Sequence, residues 1–499
     1  MREFDVFIVG GGVNGAGIAR DAAGRGLRVG LAERGDFGGA TSSSSSKLIH
    51  GGLRYLEHYE FRLVAESLAE REVLLRIASH LVRPLQFVLP RTVGARPAWM
   101  IRTGLWLYDH LGRGNHLPPS RAVELIDSGL GAGLQSSLRH GYSYWDATVD
   151  DARLVIANLR SAARHGGEIM PRTEFLGATV EGDRWRIELR DLEGSKTSCS
   201  ARILINAAGP WVAQTQARAQ NSPSSSAQIR LVKGSHIVVP RIHAEKHAYI
   251  LQNPDGRVLF ILPFEHAYSL IGTTEAIVRS PEEAREILPE EIDYLLAAAN
   301  RHLARALNKS DIRWCYSGVR PLYDDGKTNA SAITRDYVLR LEAHAGTPPM
   351  LNVYGGKITT YRKLAESALN KLEPWLRSTR SEWTDSEFLP GSEFGGQDAS
   401  ASLAQLCAQY PQLPASLLAA IFARHGSESA LVLGDTQRLD DLGLHFGADL
   451  YEREVLYFLR SEWAQSADDV LWRRSKVGLH FSDAQRTALE AWFDRYVKQ

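Results

Sequence analysis

The sequence predicts an α/β fold in three parts: a parallel, doubly wound sheet, an antiparallel β-sheet domain and a separate helical C-terminal domain. Three observations predict it. A glycine-rich turn follows the first strand, β-type patterning fills 228–274, and beyond a Gly-rich linker at 390–397 nearly every segment reads as helix.

Asp5-Val6-Phe7-Ile8-Val9 is β-branched, aromatic and uninterrupted, as a buried parallel strand must be. Gly10-Gly11-Gly12-Val13-Asn14-Gly15 follows, then a small-residue helix over 16–23 and a second strand over 28–32 that ends at Glu33. This is the Rossmann dinucleotide fingerprint. Gly10 allows the tight turn, Gly12 the close approach of backbone to pyrophosphate, and Gly15 the packing of helix on strand. The helix N-terminus offers N–H groups and a positive dipole end to the phosphates. Glu33 is placed to accept from a ribose hydroxyl. Strand, glycines, helix, second strand and acid in register outweigh a merely structural Gly-rich turn.

Helical periodicity continues over 60–78, then a short strand over 84–91 and a helix over 98–111. Asp150-Asp151-Ala152-Arg153-Leu154 begins a helix with acids at its N-terminus. Strands are expected at 174–180, 185–190 and 203–206, and a Ser/Pro-rich loop at 221–226. Segments 257–263 and 268–272 form a hairpin through Glu265-His266. C-terminal helices are expected at 403–408, 417–424, 452–462 and 484–496.

The fingerprint alone does not separate NAD from FAD. It stands at the start of the chain, and backbone suited to an extended cofactor returns twice. One return is the strand ending Asn206-Ala207-Ala208-Gly209-Pro210-Trp211; the other ends Gly355-Gly356-Lys357 before a helix over 358–372. The first N–H groups of that helix can face a flavin carbonyl. Each is singly an ordinary turn, but three in one chain favour FAD.

Further motifs are Ala40-Thr41-Ser42 to Lys47-Leu48-Ile49-His50-Gly51-Gly52-Leu53-Arg54-Tyr55-Leu56, Lys233-Gly234-Ser235-His236-Ile237-Val238-Val239-Pro240 and Tyr316-Ser317-Gly318-Val319-Arg320-Pro321-Leu322. Gly355-Gly356-Lys357-Ile358-Thr359-Thr360-Tyr361-Arg362-Lys363-Leu364-Ala365 and Asp469-Val470-Leu471-Trp472-Arg473-Arg474 complete the set. Together with the fingerprint through Gly17, Asp21, Arg25 and Gly26, the chain resembles the FAD-dependent glycerol-3-phosphate dehydrogenases over essentially its whole length. The likeness is greatest to the bacterial respiratory, membrane-associated branch. Only the pure serine run from Ser42 to Ser46 is unusual.

The resemblance implies a Rossmann-type FAD-binding domain, an antiparallel substrate domain and a helical C-terminal domain. The expected division is 1–90 for the first part of the FAD-binding domain and 91–227 for a mixed region with a return to it around 150–211. Residues 228–334 then form the substrate region, 335–389 the last FAD-binding part and 390–499 the helical domain. The implied reaction is oxidation of sn-glycerol 3-phosphate to dihydroxyacetone phosphate by hydride transfer to flavin N5. Electrons would pass to ubiquinone or menaquinone from a peripheral position on the cytoplasmic face of the inner membrane, and a homodimer is open. An oxygen-using oxidase of the same fold and an amine-oxidising flavoenzyme are the alternatives.

For the cofactor the residues expected are Gly10, Gly12, Asn14, Gly15, Glu33, Thr41, Ser42, Ser46, Lys47, Leu48, Ala208, Gly209, Gly356, Lys357 and Thr359. A phosphate monoester carries about −1.5 to −2 charge near neutrality and calls for fixed guanidinium donors. Arg54, Arg320 and Arg335 in their motifs, with Tyr55 and Lys357, are the expected substrate set; Arg335 could instead pair with Asp336. Hydride transfer requires removal of the hydroxyl proton. His50 and His236 are the candidate bases, with Arg320 and Lys357 also in the catalytic set. His50 could alternatively orient the flavin.

Lys plus Arg and Asp plus Glu each total 58, so no global field attracts nucleic acid. The three cysteines, Cys199, Cys315 and Cys407, are far apart and form no Cys-x-x-Cys pair, which argues against a disulfide framework or a metal site. Neither a signal peptide nor the ~18 apolar residues of a spanning helix is read in the sequence. The helix over 98–111, with Trp99 and Trp106, is either core or membrane-facing. Tyr361-Arg362-Lys363 and Arg473-Arg474 with Lys476 are expected basic spots for anionic lipid. No Gly-x-Ser-x-Gly elbow supports hydrolysis.

Overall fold

The computed structural model describes residues 1–92, 96–112, 114–219, 229–323, 336–344, 346–376 and 380–496. Two large sheets carry the fold. The first has eight strands, six of them in the order Val338–Glu342, Met350–Tyr354, Lys196–Asn206, Arg2–Val9, Val29–Ala32 and Glu168–Met170. Its centre is parallel, with Val9 opposite Asn206 and Asn206 opposite Asn352. Arg2–Val9 and Lys196–Asn206 end level while Met350–Tyr354 runs on past Asn352 to Tyr354, so Gly10, Ala207 and Gly355 leave the sheet along one carboxyl edge. Ligands bind at such an edge in open α/β sheets.

Helices Val13–Gly24, Asp151–Arg164 and Tyr361–Leu372 pack on this sheet around the alanine-rich face of the first of them. Asp150 caps its helix by accepting from Arg153 N at 3.1 Å. The hairpin Glu174–Glu181 and Arg184–Arg190 extends Lys196–Asn206 on the antiparallel side.

The second sheet has ten strands and draws on two stretches of sequence. Ile229–Pro240, Ala248–Gln252, Val258–Phe264, Tyr268–Gly272, Ala276–Val278 and Trp314–Tyr323 come from the expected antiparallel region. The hairpin turn has Glu265 and His266 at φ of 42° and 56°. Leu48–Ile49, Val82–Pro90, Arg121–Glu124 and His140–Val149 also join this sheet. The expected division is corrected on this point: the FAD-binding part does not run unbroken from 1 to 90, and the substrate region is not confined to 228–334. The cause is long-range pairing, since Val82–Pro90 joins the later strands through a parallel contact with Ala248–Gln252. The loop expected at 221–226 lies outside the described residues.

Ala98–Leu111 is half core. Ile101, Leu105 and Tyr108 are buried, while Trp99 and Trp106 are 69% and 58% exposed. Among the described residues no helix is long and apolar enough to cross a membrane.

The C-terminal part holds helices Ala399–Gln409, Ala415–His425, Glu452–Glu462 and Asp483–Tyr496, with its own core around Phe446, Phe458, Trp492 and Phe493. Its expected basic spot is corrected. Arg473 is largely covered, Arg474 and Lys476 are buried, and all three are paired with carboxylates. Arg362 is likewise buried between Glu70 and Glu366. None of these four offers a free cation to a lipid surface, because the motifs that carry them form internal ion pairs.

Candidate active site

A cleft of about 610 Å³ opens at the carboxyl edge of the first sheet. Gly10 turns the chain at φ +111°, in the left-handed region, and a Cβ there would lie 2.5 Å from Ala207 O. A Cβ on Gly15 would lie 1.9 Å from Gly10 O. The fingerprint spacing therefore reflects backbone contact between strand ends and the first helix.

Asn14 reaches across to the later return, its Nδ2 donating to Gly355 O at 3.0 Å. Ala208, Gly209 and Gly356 line the same cleft. Glu33 accepts from Gly11 N and Gly35 N, each at 2.8 Å. Burial raises its carboxyl pKa against the pull of these bonds. Residues not anticipated also line the cleft: Arg34 lies over the Trp211 ring at 4.2 Å, with Thr173 and Phe175 nearby.

The serine segment forms the wall between this cleft and a second cavity. Thr41 Oγ1 donates to Val319 O at 2.6 Å, and Ser42 Oγ accepts from Val13 N at 2.9 Å. A Cβ on Gly318 would lie 2.8 Å from Ser44 O, so the segment lies directly against the strand Trp314–Tyr323. Lys47, expected at the cofactor, lines neither cavity. Its buried ammonium donates to Asp151 at 2.9 Å and to Ser43 O at 3.0 Å. The expectation is corrected: Asp151 draws the lysine inward, and it braces the segment from behind.

The second cavity, about 270 Å³, shares Thr41, Ser42, Ser44, Gly318, Gly355 and Gly356 with the first. Ser46, Leu48, His50, Arg54, Tyr55, Arg320, Lys357 and Thr359 line it. Lys357 Nζ stands over the Tyr55 ring at 3.8 Å. Thr359 Oγ1 lies 3.3 Å from His50 N and 3.4 Å from His50 O, tying the two motifs together. Gly234, diagonal to Arg320 across the strand pair, leaves room for the guanidinium; a Cβ there would lie 3.1 Å from its Nη2.

Sequence reasoning missed Arg257, Thr273 and Glu275, and the apolar wall of Tyr144, Ile250 and Phe260. No local motif marks them; the second sheet brings them in. Arg335 lies outside the described residues. The cavity thus presents Arg54, Arg320 and Lys357 against the single carboxylate of Glu275, a balance that favours an anion; the Arg257 guanidinium is paired with Asp255 at 2.8 Å and lies on the Tyr294 ring.

His236 does not line the cavity. It is buried, stacks on Tyr316 at 4.8 Å, and contacts Ser46 Oγ through Nε2 at 2.9 Å. Burial, with the charges of Arg320 and Lys47, holds its pKa well below the usual histidine value. A direct base role for His236 is corrected on both counts: Ser46 stands in front of it, and its ring resists protonation.

A family model described as FAD dependent oxidoreductase matches residues 5–362, and one described as the C-terminal domain of alpha-glycerophosphate oxidase matches residues 383–497. The chain is 48% identical over 500 residues to an aerobic glycerol-3-phosphate dehydrogenase of Escherichia coli K12, covering 100% of this chain and 99% of the relative. It is 46% identical to a D-erythritol 1-phosphate dehydrogenase of Brucella abortus, over 98% of this chain and 97% of the relative. A solved glycerol-3-phosphate dehydrogenase from Bacillus halodurans, complexed with FAD, shares the fold with a TM-score of 0.76 at 22% identity, covering 99% of this chain and 95% of that one. The chain belongs to the FAD-dependent glycerol-3-phosphate dehydrogenase family. FAD is its cofactor, and the cleft fits that group: Asn14 Oδ1 is buried there with no hydrogen-bond partner among the described residues. The first helix also opens on the cleft with no acid in its first turn.

Proposed function

We propose that the enzyme oxidises sn-glycerol 3-phosphate to dihydroxyacetone phosphate and delivers the electrons to a membrane quinone. The observation that carries this reading is the cationic cavity sharing a wall with the FAD cleft. FAD supplies the hydride acceptor. Arg54, Arg320 and Lys357 bind the phosphate dianion, with Arg257 at the same cavity. Tyr144, Ile250 and Phe260 exclude water from the carbinol, and His50 takes the hydroxyl proton. Glu33 accepts from a ribose hydroxyl.

Anaerobic addition of glycerol 3-phosphate is expected to bleach the flavin absorbance, while unphosphorylated glycerol does so only at far higher concentration. Equal bleaching by both would remove the phosphate site from the mechanism. A longer polyol phosphate is the second reading, favoured by the likeness to the D-erythritol 1-phosphate dehydrogenase. The same titration with that four-carbon ester decides it: a lower half-bleaching concentration transfers the assignment.

The membrane reading is supported by one face of helix Ala98–Leu111, where Trp99 and Trp106, 69% and 58% exposed, flank exposed Arg102 at helical spacing. Tryptophan with arginine suits a bilayer interface. We place the protein peripherally on the cytoplasmic leaflet through this face. Trp99→Ser with Trp106→Ser is expected to lower co-sedimentation with anionic vesicles while leaving dye-linked oxidation intact. Unchanged vesicle binding would remove the face from the proposal.

A further inference from the structure

The segment Asp469–Arg474 enters neither cavity, yet it carries the fully buried Arg474 of the C-terminal domain. Arg474 Nη1 and Nη2 donate to the two oxygens of Asp36 at 2.6 and 2.7 Å. Its Nε and Nη2 also donate to Glu462 O at 3.0 and 2.7 Å. Arg473 Nε donates to Asp36 as well, and its Nη2 reaches Asp469 at 2.6 Å.

Asp36 is no remote acid. It follows Glu33-Arg34-Gly35 and lines the FAD cleft. Its neighbour Phe37 packs edge-on against Trp463 of the C-terminal domain at 5.5 Å, and a Cβ on Gly11 would lie 2.5 Å from that phenylalanine ring. Gly38 N donates to Gly11 O at 3.0 Å. On the other flank Arg172 N and Thr173 N donate to Gly35 O and Glu33 O at 3.1 and 2.7 Å. The Arg172 side chain, in turn, reaches Asp469 at 2.7 Å. The loop over 33–39 is therefore gripped from both sides by groups tied to one turn of the C-terminal domain.

A second tie reaches the serine segment. Lys476 Nζ donates to Asp150 at 3.0 Å, while the adjacent Asp151 holds Lys47 Nζ at 2.9 Å and Ser45 Oγ at 2.7 Å. Arg153, on the same helix, pairs with Glu462 through Nη2 at 3.0 Å. Separating the domains would strand buried charges on both sides, which is strongly unfavourable.

We propose that Arg473 and Arg474 are positioning residues for the cofactor: docking of the C-terminal domain sets the 33–39 loop and the serine segment in their FAD-binding shape. FAD binding and domain docking then form one coupled equilibrium. Linkage makes the coupling reciprocal, with FAD tightening the docking by the factor by which docking tightens FAD binding. The proposal rests on the flavin and not on the identity of the substrate, so it fails or stands independently of the glycerol phosphate reading.

The first test uses the wild-type chain with and without FAD. Glu393 precedes the exposed stretch 395–398, with its own side chain 60% exposed. Release of the 394–499 fragment by a glutamyl endopeptidase is expected to slow about tenfold when FAD is bound, within the usual range of coupling. Equal rates in apoprotein and holoprotein would overturn the proposal, because a domain that is merely structural is protected alike in both.

The second test reads FAD affinity by fluorescence quenching. Arg474→Met is expected to raise the Kd about thirtyfold and Arg474→Lys by less, with Asp36→Asn adding little on top of Arg474→Met. An unchanged Kd in Arg474→Met would also overturn it. If that variant does not fold, the wild-type digestion decides alone.

Discussion

Gly15→Ala is expected to purify colourless. The added Cβ would lie 1.9 Å from Gly10 O, and the atom it meets belongs to the backbone of the strand-to-helix turn. No side-chain rotation relieves that contact. The helix must lift away from the sheet, carrying its N–H groups away from the pyrophosphate. Hydrogen bonds to a charged group are worth about 1.5–3 kcal/mol each, so weakening one or two N–H contacts to the pyrophosphate should lower FAD affinity by roughly a hundredfold. The measurement is the ratio of flavin to protein absorbance after gel filtration, followed by titration with added FAD. Gly104→Ala serves as the control, since a Cβ there meets nothing within 4 Å, and flavin content should stay at the wild-type level. A yellow Gly15→Ala protein with normal affinity would mean that the turn is not where the dinucleotide binds.

Arg320→Met is expected to keep its flavin and lose its substrate. Arg320 lines the second cavity and not the dinucleotide cleft, so its removal strips phosphate-binding charge without touching the fingerprint. Each charge-assisted hydrogen bond to a dianion is worth about 1.5–3 kcal/mol. Losing one or two predicts a fall in kcat/KM of roughly 10- to 10⁴-fold. Most of the loss should appear in KM, because the phosphate is bound alike in ground and transition states. Methionine fills much of the space beside Gly234, which limits collapse of the wall. Steady-state kinetics with a dye acceptor would show it; unaltered KM and kcat would take Arg320 out of the site.

The fingerprint was legible because its residues are adjacent in sequence and its requirements are local. A turn with backbone contact at Gly10 and Gly15 can be met by few other residues. Helices Ala98–Leu111 and Glu452–Glu462 match their expected bounds because the helical period is a short-range signal. Val82–Pro90 was legible as a strand but not as part of the second sheet, since its partners lie far along the chain. The same limit hid Phe260, on a strand of the second sheet, and Arg257 and Glu275, beside the ends of its strands; none of the three carries a motif of its own. Lys47 shows the opposite error: it stands in a telling motif, but a buried aspartate claims its charge. His236 was misplaced for a related reason, as sequence cannot tell a ring facing a cavity from one standing behind a serine.

The second cavity sets its cations apart from its apolar surface. Arg54 and Lys357 come from the segments beside the cofactor cleft and Arg320 from the strand Trp314–Tyr323, whereas Tyr144, Ile250 and Phe260 stand on other strands of the second sheet, in the apolar cluster of its interior. Chain length of the sugar ester can therefore be retailored by exchanging aromatic and aliphatic bulk on one side, while the grip on its anionic end stays constant. Divergence among polyol-phosphate enzymes of this architecture should concentrate on those apolar positions.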